Sequence, residues 1–171
     1  MKIKKYLFIA VVSSIIIFTN SCKKDEQPEP SNTEIITEKS WHISDIKLSP
    51  GISVYGLTIT DGDMFIEECV RDNQYTFNPD YTTTMNEGAT KCDENAEQEI
   101  QEGIWKFNED ETKMIFSGSV LLDSMDMESL TAEELILSRI ESLPDTTITI
   151  PNFPSITIPG GDQKLTITFK H

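Results

Sequence analysis

The sequence predicts an all-β protein, an antiparallel sandwich or barrel of about eight to ten short strands with very little helix. Three observations carry that prediction. Apolar and polar residues alternate at a period of two through most of the body, as in Tyr75-Thr76-Phe77 and along Leu165, Ile167 and Phe169. Clusters of Pro, Gly, Asn and Asp punctuate these runs at short intervals. One unit also occurs twice: an aromatic, one residue, a Phe, a polar turn carrying Asn and Asp, and a Thr-bearing return. Each copy is expected to be a β-hairpin, and two of the three cysteines, Cys69 and Cys92, straddle the first.

The folded domain is expected over residues 38–171. Trp41, Ile43, Ile46 and Leu48 share a strand that ends at the turn signal Ser49-Pro50-Gly51. Ile52 to Thr60 alternates weakly and forms a second strand, broken at Asp61-Gly62-Asp63. Met64, Phe65, Ile66, Cys69 and Val70 recur at three- and four-residue spacing. That pattern predicts a short helix, capped by Asp63, running into Cys69. Tyr75 and Phe77 face one side of the next strand, and Asn78-Pro79-Asp80 turns it, since proline presets the first central position. Tyr81 to Met85 returns. Asn86 to Gln101 is a polar loop tied down by Cys92. Trp105 and Phe107 repeat the pattern, Asn108 to Glu111 turn, and Met114 and Phe116 come back. A strand follows over Val120 to Met127. Thr131 to Glu134 has capping-box spacing and is read as one helical turn before Leu135-Ile136-Leu137. Thr146–Ile150 and Ser155–Ile158 form a near-mirror Thr/Ile hairpin about Pro151 to Pro154. It either completes the barrel, covers its mouth, or offers an edge to a partner. The strand through Phe169 ends the chain.

Ahead of this body, Lys2, Lys4 and Lys5 precede an apolar run from Tyr6 to Phe18, too short to span a bilayer and of the length of a signal-peptide core. Ser21 then precedes Cys22. Together these resemble the lipobox of bacterial lipoproteins, whose cysteine is lipidated and becomes the mature N-terminus. The pattern departs from the family at Thr19 and Asn20, where Leu and then Ala or Ser are usual. The alternative is an ordinary secretory signal with an incidental cysteine. Cysteine arithmetic bears on the choice. Three cysteines in an oxidising compartment leave one over, unless Cys69 pairs with Cys92 and Cys22 is acylated. Residues 1–21 are thus read as a lipoprotein signal peptide and residues 22–37 as a flexible tether, polar and proline-bearing. The Lys23-Lys24-Asp25-Glu26 run resembles charged export signals that send some lipoproteins to the outer face of Gram-negative cells. The expected location is the outer membrane, periplasmic or surface-facing, with the membrane reached through the lipid.

The chain carries 14 basic and 29 acidic side chains, a net charge of −15. Removing residues 1–21 takes away lysines only and makes the remainder more acidic. Such a surface repels phosphate, so nucleic acid is disfavoured as a partner. Zinc would need two more ligands beside Cys69 and Cys92, and the chain has only His42 and His171. Structural disulfide is the simpler reading. Asp61, Asp63, Glu67 and Glu68 lack the order of a calcium loop, and a turn before a helix explains them. No nucleophile stands beside a base and no glycine-rich phosphate loop is present, so no enzyme, metal or cofactor is expected.

The order of pieces nevertheless suggests a family. A Trp in the first strand is followed by Cys69-x-x-Asp72-x-x-Tyr75-x-Phe77-Asn-x-Asp80. Then come Gly88-Ala-Thr-Lys-Cys-Asp93, Gly103-x-Trp105-x-Phe107-Asn108 and Leu130-Thr-x-x-Glu-Leu-x-Leu-Ser138. This resembles the lipocalin-like domain of bacterial cell-envelope lipoproteins. It implies an up-and-down antiparallel β-barrel with a pocket for a small apolar molecule. Two departures stand out. Lys39 replaces the glycine two residues before Trp41, and Asp80-Tyr81 and Asp110-Glu111 stand where Asp-Gly turns are usual, which predicts another turn type or a longer loop. On this reading the interior residues Trp41, Tyr75, Phe77, Trp105, Phe107, Met114, Phe116 and Phe169 line a ligand cavity, with Met125 and Met127 as adaptable neighbours. The alternative is a barrel packed solid by the same side chains, serving as an interaction module of the envelope.

Overall fold

A computed structural model describes residues 28–54, 56–118, 123–148 and 155–171. The expected signal peptide, Cys22 and the Lys23–Glu26 run lie outside the described residues, as do the start of the strand expected from Val120 and the tip of the Thr/Ile hairpin.

The main body is one nine-stranded antiparallel sheet. Its strands are β1 (His42–Val54), β2 (Leu57–Asp61), β3 (Gln74–Phe77), β4 (Thr82–Asn86), β5 (Glu99–Phe107), β6 (Lys113–Ser117), β7 (Ser124–Leu130), β8 (Glu134–Leu143) and, after a side ribbon, β11 (Gly161–Lys170). The order across the sheet is β2-β1-β11-β8-β7-β6-β5-β4-β3, so β3 to β8 pair as consecutive up-and-down neighbours. The sheet is not closed by a continuous ladder. One isolated bridge joins the end strand β3 to the head of β1, where Trp41 and Tyr75 exchange backbone hydrogen bonds of 2.7 Å in each direction. The up-and-down all-β architecture is as expected; full ladder closure is not.

Several local expectations are corrected. Ser49-Pro50-Gly51 does not end the first strand. β1 runs through it as a kink, where its pairing with β2 slips between Lys47 and Ile52. Gly51 sits at φ +98°, and a Cβ there would lie 2.7 Å from the Ile59 carbonyl oxygen, so glycine is required. Its amide donates to the buried Gln163 side chain of β11 at 2.8 Å, which holds the kink against the sheet. The helix expected from Met64 is a 3-10 turn, Asp63–Phe65, followed by α2 (Glu68–Arg71). Asp63 caps neither; its carboxylate accepts from the Ile46 amide at 3.0 Å. The Thr131–Glu134 segment is a hairpin turn rather than a helical one, with the Thr131 hydroxyl accepting from the Glu134 amide between paired Leu130 and Leu135.

The ordered domain also starts earlier than Glu38. Ser31 and Glu34 form a reciprocal capping box at the head of α1 (Asn32–Thr37). Ile36 of this helix is fully buried, and its carbonyl accepts from the Trp41 indole at 2.9 Å. Residues 31–37 therefore belong to the fold, where the sequence suggested tether. Ile36 beneath Trp41 closes the floor of the sheet, and exposed Lys39 plays no part in it.

The Thr/Ile segments form a separate two-stranded ribbon, β9 (Thr146–Ile148) with β10 (Ile156–Ile158). The ribbon does not complete the barrel as favoured from the sequence. It springs from between β8 and β11, which pair with each other directly along their full lengths.

The two repeated turns share one hydrogen-bond pattern. In the first, the Thr82 hydroxyl donates to Asp80 at 2.7 Å and accepts from the Asn78 amide group at 3.0 Å. In the second, Thr112 stands between Asp110 at 2.7 Å and Asn108 at 3.1 Å. The Thr82 hydroxyl and then its amide hold the Asp80 carboxyl below its ordinary range, and Thr112 acts in the same way on Asp110. Each turn needs one residue in the left-handed region, and non-glycine residues occupy it: Tyr81 at φ +67° and Glu111 at φ +53°. The turn type expected of Asp-Gly is avoided, but positive φ is not. Such a residue costs about 1–2 kcal/mol relative to glycine. Glu111→Gly is therefore expected to stabilise the protein by about 0.5–1 kcal/mol, read as a higher urea midpoint, since it also gives up the hydrogen bond that the exposed Glu111 carboxylate accepts from the Asn32 side chain at 2.8 Å. Tyr81→Gly should gain less, because it also loses the ring contact with Trp105 at 5.5 Å between centroids.

Candidate functional site

The interior of the sheet divides into a packed floor and an open upper half. Trp41, Trp105, Met114, Met125, Leu135 and Leu137 join Ile36 in the floor, each at most 1 % exposed. Above them lies a cavity of about 360 Å³, bounded by Ile43 and Ile46 of β1, Tyr75 and Phe77 of β3, Thr83 of β4, Glu102 of β5, Phe116 of β6, and Leu165, Ile167 and Phe169 of β11. Ile66, Glu67 and Val70, in and just before α2, complete the wall. This volume falls at the small end of the range of ligand pockets, about 300–1,000 Å³.

Half of the residues expected to line a cavity do so: Tyr75, Phe77, Phe116 and Phe169. Trp41, Trp105 and Met114 are core of the floor instead. Phe107 packs edge-on against Trp105 at 5.4 Å and, with it, borders a shallow outer groove beside Tyr81 and Asn108. Met125 is fully buried in the floor, and Met127 packs against it. Floor and cavity wall interlock within the same registers: Trp105 pairs with Phe116 across β5 and β6, and Trp41 is bridged to Tyr75.

The sequence reading missed the wall contributed by Ile43, Ile46, Ile66, Val70, Leu165 and Ile167, although their alternation or spacing was visible. It also missed the polar groups. Tyr75 and Thr83 are 7 % and 5 % exposed, and both hydroxyls are shut off from solvent without a hydrogen-bond partner. An unsatisfied buried hydroxyl costs about 1–3 kcal/mol. Burial holds the Tyr75 phenol above its ordinary range. The neighbouring Asn73 amide opposes that shift, although no hydrogen bond of good geometry joins them, and the Glu102 carboxylate adds to it.

Glu102 reaches the cavity through a bulge. Thr83 of β4 pairs with Gly103 and the next residue, Thr84, pairs with Gln101, so β5 carries one residue more than its neighbour. The side-chain period of two shifts by one at this point. Trp105 keeps its inward position while Glu102, rather than Gln101, turns to the wall. Gly103, at φ +114°, supplies the backbone conformation.

α2 is fastened twice. A disulfide joins Cys69 to Cys92, Cα atoms 5.2 Å apart, as the cysteine count suggested. Beside it the Asp72 carboxylate accepts from the amides of Ala89 and Thr90 at 2.8 and 3.0 Å. Gly88 at φ +65° permits this approach, because a Cβ there would lie 2.4 Å from the Asp72 carbonyl oxygen. The Cys-x-x-Asp and Gly-Ala-Thr-Lys-Cys segments are thus the two halves of one clasp.

The other polar clusters resolve into structure. Glu67 with Cys69 and Cys92 is the one grouping of metal-ligand type among the described residues, and its sulfurs are bonded to each other. Asp61 accepts from the Asp63 amide at 2.9 Å, and Arg71 pairs with Asp63. His42 lies on a half-buried outer position, and His171 stacks on Trp41 at 3.9 Å while its ring nitrogen meets the Ser40 carbonyl. Compared with known proteins, the chain matches no family model and no curated protein sequence.

Proposed function

We propose that the protein is a lipid-anchored, cell-envelope binding protein of lipocalin-like type, holding a small apolar molecule in the cavity above the Trp41 floor. The observation that carries this reading is the cavity itself, about 360 Å³ lined mainly by Ile, Leu, Val and Phe. Hydrocarbon walls of this kind favour an apolar occupant by about 25 cal/mol per Å² removed from water. Anchoring rests on the basic n-region, the apolar run and the Ser21-Cys22 pair. A thioether- and amide-linked set of acyl chains makes a stable anchor where a single chain would be marginal. The acidic body then stands off anionic headgroups, and the periplasmic or outer face of the outer membrane is the proposed location.

The test of the cavity is titration with a neutral apolar fluorophore such as N-phenyl-1-naphthylamine, together with native mass spectrometry of the purified protein for retained lipid. The wild type is expected to bind the fluorophore saturably, and Leu165→Trp, which fills the cavity from β11, to abolish the signal while the protein remains folded. Binding unaffected by Leu165→Trp, or no binding at all, would overturn the reading in favour of a ligand-free interaction module. Labelling with radioactive palmitate, lost in Cys22→Ser, checks the anchor separately.

A further inference from the structure

The wall of the cavity offers a ligand little to hold except carbon. Four of its residues carry side-chain oxygens: Glu67, Tyr75, Thr83 and Glu102. The Tyr75 and Thr83 hydroxyls are sealed within the wall, so these two residues show the cavity only their carbon. Glu102 already has a partner within the protein. Glu67, at the head of α2, is exposed to water. Every other residue of the wall is Ile, Leu, Val or Phe, and among the described residues no Lys, Arg or His borders the space.

This composition sorts apolar ligands by charge. A fatty acid would bring its carboxylate to a wall without a cation and with two like charges. An unpaired charge taken out of water is the costliest kind of burial. An apolar cation gains little in exchange, since one carboxylate is engaged and the other is bathed in water, where ion pairs are weak. A neutral polar group held deep in the cavity would go without a hydrogen bond. A bare hydrocarbon body meets none of these costs. Size narrows the class further. A cavity of about 150 Å³ suffices for benzene, so on that scale this one suits about two or three rings. Its volume is about 360 Å³.

We infer that the cavity selects an uncharged ligand of about two or three rings, or a chain of similar bulk, whose enclosed part is hydrocarbon. Any polar group the ligand carries stays at the rim beside Glu67, and fatty acids and other apolar ions are turned away. This rests on the reading of the cavity as a ligand site and names the class of ligand it takes. The hydrocarbon sets affinity, and the missing counter-charge sets specificity.

The test compares N-phenyl-1-naphthylamine with its sulfonated form, which has the same rings and one negative charge, each titrated against the folded wild type. The neutral probe is expected to bind at least about tenfold more tightly. Decanol should displace it, and decanoate at the same concentration should not. Two controls locate the preference. In about 1 M salt the field of the whole protein is screened within about 3 Å. The preference should persist there, because the missing counter-charge is local. Leu165→Trp should abolish binding of the neutral probe and leave any residual sulfonate binding unchanged, as belonging to the outer surface. Equal binding of the two probes in the cavity, displacement by decanoate, or a preference that vanishes in salt overturns the inference while leaving a ligand cavity in place. Failure of the neutral probe and of decanol to bind removes the cavity reading and this one with it.

Discussion

Trp41→Ala is expected to cost about 3–5 kcal/mol of stability, the largest single-residue loss in the domain. The indole is fully buried, and three different connections converge on its residue. Its ring nitrogen donates to the Ile36 carbonyl at 2.9 Å, tying α1 to the sheet. Its backbone forms the bridge to Tyr75, and its ring meets His171 of the last strand's end at 3.9 Å. Alanine retains the backbone bridge but leaves a void beneath it and an orphaned carbonyl in α1. Trp41→Phe divides the effect, since it keeps most of the volume and removes the donor; a loss of about 1–3 kcal/mol is expected. Equilibrium urea unfolding measures both. If Trp41→Phe proved as costly as Trp41→Ala, packing volume could not be the main term.

Replacing Cys69 and Cys92 together by serine is expected to lower stability by about 3 kcal/mol, from the freedom regained by the unfolded chain. The two positions are 23 apart in sequence. The local consequence matters as much. α2 supplies Ile66, Glu67 and Val70 to the cavity wall through itself and the residues before it, and without the disulfide its end keeps the Asp72 contacts to Ala89 and Thr90 and the pairing of Arg71 with Asp63. Binding of the naphthylamine probe should therefore weaken even in buffer where the double variant is still folded by circular dichroism. A variant that loses stability but keeps full affinity would place the wall's rigidity elsewhere, in β1 and β11.

The strands were legible because their apolar residues alternate without ambiguity, and both aromatic hairpins fell where Tyr75, Phe77, Trp105 and Phe107 predict them. The disulfide followed from counting cysteines. What misled was chemistry with two meanings. Ser49-Pro50-Gly51 reads as a turn, yet Gln163, far off in sequence, converts it into a kink inside one strand. Ser31 and Glu34 sit in a polar proline-bearing stretch, so a capping box of two turns' reach was hidden by its surroundings. The site was only half legible for a similar reason. Aromatic residues mark the interior, but pattern alone does not say which of them pack solid and which border a void, and direct partners such as Trp105 and Phe116 divide between the two. Glu102 was invisible because a bulge changes the phase of a strand, and one acid among many in an acidic chain carries no flag.

The single bridge between Trp41 and Tyr75 has a bearing on traffic. In a barrel laddered all round, parting two strands to admit a molecule breaks a row of backbone hydrogen bonds together. Here β3 is joined to the head of β1 at one point, and beyond it α2 lies against β1. Displacing side chains leaves every backbone amide of the sheet bonded as before, so the upper seam is the line along which the wall yields at least expense. If the cavity takes a ligand as proposed, the seam without a ladder is where it would enter, while the bridge between Trp41 and Tyr75 holds the two sides together.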